Sequence, residues 1–201
     1  MANAGTLVAH LFKLAVTLVC MRYIESSYKI FSNENDWAAR AFQILLIHSI
    51  LGVFTFGTSG SLVGKRMFRD IYDGLTNIIE IVPLALFATE ISLRCHVNEI
   101  LRQLLLITLG ILPIVHEVIR KKKRARTLQL TNFVIGVQLF TIIVACLKRG
   151  NLSVTSFVAA YILDRYFLED LCDRFDVPYI DLAQYSMSFV EVFALVTIQE
   201  L

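Results

Sequence analysis

The sequence predicts an all-α protein, a polytopic transmembrane bundle of seven helices joined by short loops. Hydrophobic residues make up 56% of the 201 and charged residues only 18%. Mean hydropathy is +0.64. The apolar residues also come in blocks close to the length of about 20 that a helix needs to cross hydrocarbon. A soluble globule of this size could not cover so much apolar surface with so few polar side chains, whereas acyl chains can.

The blocks run over 5–23, 39–58, 71–93, 97–119, 128–147, 152–168 and 180–199. Ser32-Asn33-Glu34-Asn35-Asp36 separates the first two, and Gly57 to Ser61 with Gly64-Lys65-Arg66 follows the second. These are turn and charge signals. Pro83 falls within the third block and Pro113 within the fourth, and each removes a helix hydrogen bond, so both helices are expected to kink. The sixth block ends in Asp164-Arg165, and without it the count falls to six crossings. Lys148 to Asn151 and Asp173 to Pro178 mark the last two breaks. With neither repeat nor long linker, residues 1–201 read as a single integral-membrane domain.

The net charge of +2 is close to balance, but Arg120, Lys121, Lys122, Lys123, Arg124 and Arg126 form one dense basic run. Between two apolar blocks such a run reads as a short cytoplasmic loop, with anionic lipid headgroups as a compatible partner, rather than as a nucleic-acid patch. Lys65, Arg66, Arg69 and Arg174 share its side of the bilayer. The positive-inside rule then puts the N-terminus in the cytoplasm and the C-terminus in the lumen or outside the cell, in an endomembrane or the plasma membrane. The first apolar stretch lacks a basic n-region and a small-residue cleavage site, so a retained helix is expected. Cys20, Cys95, Cys146 and Cys172 show no metal-ligand spacing. Three of them, Cys20, Cys95 and Cys146, map to the outer side, where a disulfide is compatible and buried free thiols are preferred.

Polar residues recur at helical spacing inside the apolar blocks. His10, Lys13 and Thr17 share one face, as do His48, Gly52, Thr55 and Ser59; Asp73, Asn77 and Glu80; and Asp181, Gln184, Ser188 and Glu191. Ser153, Ser156, Ala160 and Asp164 do the same in the sixth block. Small and polar side chains are the usual packing means of membrane helices, and that explanation is preferred for the stripes as a set. Lys13, Asp73, Asp164 and Asp181 lie near helix ends and are expected to snorkel to the headgroups. His48, Glu80 and Glu191 lie deeper and, with Asp164, are the candidates for an ion or solute pathway. Pro83 should free the carbonyl of Ile79 beside Glu80, making either a cation or proton site or a protonated Glu80 bonded to a neighbouring helix.

No catalytic constellation assembles from the sequence motifs. Gly57-Thr58-Ser59-Gly60 resembles the G-x-S-G of rhomboid intramembrane proteases over four residues only, and it follows a helix instead of starting one. The histidines His10, His48, His96 and His116 are spread over three depths and are not expected to converge on a metal. No cofactor, metal or nucleic-acid partner is called for. The expected function is non-enzymatic: movement of a small solute or ion through the bundle, or a subunit role beside other membrane chains or copies of itself. A lipid-modifying hydrolase is the alternative.

Overall fold

The computed structural model describes residues 4–27, 36–57, 64–118 and 124–201. Arg120, Lys121, Lys122 and Lys123 of the basic run, Thr58-Ser59-Gly60 of the rhomboid-like motif and the side chains of Asn77, His116 and Arg124 lie outside the described set. The helices are α1 (Ala4–Ser27), α2 (Trp37–Gly57), α3 (Gly64–Ile79), α4 (Val82–Arg94), α5 (Glu99–Val118), α6 (Arg124–Leu147), α7 (Ser153–Ile162), α8 (Leu168–Phe175) and α9 (Tyr179–Gln199). A π-helical stretch, Leu163–Phe167, joins α7 to α8 without a break. Among the described residues, four helices are long and apolar enough to cross a membrane: α1 over Ala4–Ile24, α2, α6 over Ala125–Leu147, and α9.

The block expected as one kinked helix over 71–93 is two helices. Pro83 sits in the first turn of α4, where its missing N–H costs nothing, and the chain turns at Glu80-Ile81 instead of continuing α3. α3 is consequently an amphipathic segment. Tyr72 and Ile79 are buried while Met67 to Ile71 and Asp73 are exposed. Pro113 lies inside α5, which continues past it to Val118.

α4 is the axis of the bundle. Every residue from Pro83 to Ser92 is buried, because α2, α5, α6 and α9 surround it. Phe87 of α4 meets Phe42 of α2 edge-on at 4.9 Å and Phe157 of α7 at 6.3 Å. The outer helices show the reverse pattern. On α5, Ile100, Leu104, Ile107, Ile111 and Ile114 follow helical spacing and each is more than half exposed. Phe133 and Phe140 of α6 are exposed by 69% and 68%. A water-facing helix would carry charges on that stripe.

One end of the bundle is clasped by side chains. Arg94, at the end of α4, donates to Glu90 Oε1 at 3.0 Å and to the carbonyl of Ile198 at 2.8 Å. Asn151 Nδ2 donates to the carbonyl of Thr197 at 3.0 Å, and Ser153 bonds to Glu200. The last carbonyls of a helix have no partner of their own, so Arg94 and Asn151 act together as the C-cap of α9. Glu90 Oε2 in turn accepts the N–H of Trp37 at the start of α2.

Candidate functional site

At the opposite end, between α1, α2, α3, the π stretch and α9, lies a cavity of about 200 Å³. Exposed Asp73, Tyr179 and Ile180 form its rim, and buried Lys13, His48 and Gln184 its floor. Of the four pathway candidates, His48, Glu80 and Asp164 line this single space. Glu191 lies behind the floor and reaches it through Thr17.

Lys13 organises the floor. Sequence reasoning took it for a snorkelling end residue, yet it is 1% exposed. Its Nζ donates to Gln184 Oε1 at 3.3 Å and to His48 Nδ1 at 3.5 Å. Asp164 lines the same cavity, and Glu191 lies one bond further on, through Thr17. A lone cation in an apolar interior costs about 3 kcal/mol even by the mildest scale, so these partners are what permit it there.

The polar stripes of α1 and α9 face each other along this seam. Thr6 donates to Asp181 at 2.6 Å, Lys13 meets Gln184, and Thr17 lies 2.7 Å from Glu191 Oε2. Thr17 also sits 2.9 Å from the carbonyl of Lys13. Its hydroxyl has one proton for two acceptors. Either it donates to a Glu191 carboxylate, or a protonated Glu191 donates to it and it donates to the backbone. The geometry thus accepts Glu191 with and without a proton. Glu191 Oε1 has no hydrogen-bond partner among the described residues.

His48 extends the network to α3. Its Nε2 lies 3.2 Å from Thr76 Oγ1, and Thr76 gives its own proton to the carbonyl of Tyr72 at 2.9 Å. Thr76 therefore accepts from His48, which leaves Nδ1 as the acceptor for Lys13 and assigns the Nε2–H tautomer. A His–Thr pair in this arrangement is no activated nucleophile, because the threonine proton points away from the imidazole. Tyr72 stacks on His48 at 4.6 Å and shares a hydrogen bond of 3.1 Å with His10.

The two histidines do come together, with ring centroids 5.7 Å apart, contrary to the expectation that they lie at separate depths. Gly52 makes room for them: a Cβ there would fall 2.3 Å from His10 Nδ1. Among the described residues no group of three His, Cys, Asp or Glu side chains gathers to hold a metal.

Glu80 meets a basic partner on the π stretch. Arg165 NH1 lies 3.2 Å from its Oε2, and the Tyr161 hydroxyl donates to its backbone carbonyl at 3.0 Å. Asp164, at the cavity, and Arg165, beside Glu80, both lie in the π stretch. Asp164 Oδ1 is buried and finds no partner among the described residues. Of the basic run, Arg126 is exposed.

Sequence reasoning missed Lys13, Arg165 and Tyr72 as site residues. The signal for Lys13 was present, since it shares a face with His10 and Thr17.

Comparison with family models, with curated proteins and with solved structures finds no match to this chain.

Proposed function

We propose that the chain is a multi-pass membrane protein that moves a small cation, the proton first of all, through the cavity above Lys13. The observation that carries this reading is Lys13, buried and bonded to Gln184 and His48 at the floor of an open cavity that Asp73, Glu80 and Asp164 also line. Asp73, Glu80 and Asp164 line the space with Lys13, the first two paired with Arg69 and Arg165, so an anion entering it would still meet three carboxylates. A cation or proton instead competes with Lys13 for them, and Lys13 serves as the tethered counter-charge of the unloaded state. The two proton arrangements around Thr17 supply a second acceptor, Glu191, behind the lysine.

The exposed apolar stripes on α5 and α6 support lipid contact, and the four span-length helices support several crossings. The reading takes seven crossings, α3 with α4 counting as one and α7 with α8 as another. In it the rim of the cavity shares the cytoplasmic side with Lys65, Arg66, Arg69 and the Arg120–Arg126 run, and the clasped end faces the lumen or exterior.

The test is flux. Liposomes holding the purified protein and an internal pH-sensitive dye are expected to dissipate an imposed proton gradient faster than protein-free liposomes, with Asp164→Asn slowing this at least tenfold. Sodium or potassium added outside separates proton movement alone from exchange for a monovalent cation. Equal rates in wild-type and empty liposomes, with every added cation, would overturn the reading.

A further inference from the structure

Two cysteines from distant parts of the chain meet at the clasped end. Cys95 Sγ and Cys146 Sγ are 3.7 Å apart, and 51 positions separate them in sequence. Each is held by a completed helix terminus. Cys95 caps α4, its N–H bonded to Ile91, and the chain leaves through His96 at a φ of 55° with Val97 bonded back to Ser92. The Cys146 carbonyl accepts N–H groups from Arg149 at 2.9 Å and from Asn151 at 3.1 Å, a closure that depends on Gly150 at a φ of 79°. With both backbones pinned, the sulfurs meet through their side chains alone.

We propose that Cys95 and Cys146 form a reversible dithiol–disulfide site that cross-links α4 to α6, taking glutathione disulfide or a disulfide of similar chemistry as its oxidant. The sulfurs must close by about 1.7 Å to reach a bond of ~2.05 Å, a movement that side-chain rotation supplies. Cys95 is half-buried and Cys146 fully buried, so the oxidant meets Cys95 first. The Cys95 thiolate attacks one sulfur of glutathione disulfide, forming a mixed disulfide and releasing one glutathione. Cys146 then loses its proton and attacks Cys95 Sγ, and the second glutathione leaves with the bonding pair. Two thiols lose two protons and two electrons in all, and the glutathione disulfide is reduced to two glutathiones. Cys20 on α1 and Cys172 on α8 take no part.

The bond would fix α4 to α6 beside the Arg94 clasp and hold that end shut. It stands apart from the proposed cation movement, since it needs only the two sulfurs to meet.

The test is a thiol count. Detergent-solubilised protein is incubated with glutathione and its disulfide at a series of ratios, quenched with acid, unfolded and labelled with a maleimide. The four cysteines should all label when reduced, and two fewer after oxidation. Peptide mapping of the unreduced wild-type chain should join the Cys95 peptide to the Cys146 peptide. C95S and C146S should each abolish that species, while the C20S/C172S double variant keeps it. Four labelled thiols at every ratio, or a cross-link joining any other pair, would overturn the proposal.

Discussion

At the clasped end Arg94 and Asn151 satisfy the last carbonyls of α9 and Glu90 joins Arg94 to the start of α2, whereas at the cavity end Asp164 keeps a buried oxygen with no donor among the described residues and Lys13 floors a cavity. Both ends use charged residues beside helix termini. What differs is whether the termini they serve are packed together. α9 closes onto α4 and the α6–α7 connection at its C-terminus, whereas near its N-terminus it meets α1 through Asp181 and Thr6 and the cavity opens beside it. The clasped end therefore spends its polar groups on structure, and the cavity end leaves Asp164 Oδ1 without a partner among the described residues.

The sharpest way to break this contrast is to remove the floor. Lys13→Met leaves Glu191 buried without its counter-charge, and a destabilisation of about 4 kcal/mol is expected in thermal unfolding at fixed detergent. Adding Glu191→Gln should restore a large part of that loss. Strict additivity of the two would show that the residues do not act on each other.

On the clasped end, Arg94→Ala should cost about 2 kcal/mol, since it removes charge-assisted bonds to Glu90 and Ile198. It should leave the proton flux per folded molecule unchanged. A flux lost in step with Lys13→Met would mean that the two ends are one device.

A smaller effect is expected at the histidine pair. Gly52→Ala drives a methyl group into the His10 ring, costing about 1.5 kcal/mol and displacing His10 from Tyr72. A neutral outcome in the same unfolding assay would mean that the imidazole moves aside freely.

The part of the site that sequence periodicity revealed is the α1–α9 seam: Lys13 and Thr17 fall on one helical face, Gln184 and Glu191 on another, and those faces meet. Lys13 itself was misread by its nearness to the N-terminus. It lies nine residues into α1, about 14 Å along the axis, which is halfway through a hydrocarbon core and too deep to snorkel. Pro83 was correctly seen as a disruption, but a proline in a first turn starts a helix, and that consequence separates α3 from α4. Arg165 and the clasps were illegible for a different reason. Arg165 finds Glu80 across 85 positions, and Arg94 finds Ile198 across 104, through a π turn and helix ends that no local pattern announces.

Water is expected to enter the cavity above Lys13 from the α3 side and from nowhere else. Single cysteines placed by Ala183→Cys in the cavity wall and by Val190→Cys beyond the floor, in a background with the native cysteines changed to serine, measure this with a membrane-impermeant thiol reagent in sealed vesicles of either orientation. Ala183→Cys is expected to react only from the side bearing α3, and Val190→Cys from neither. An unreactive Ala183→Cys, or one labelled from the clasped side, would contradict the account.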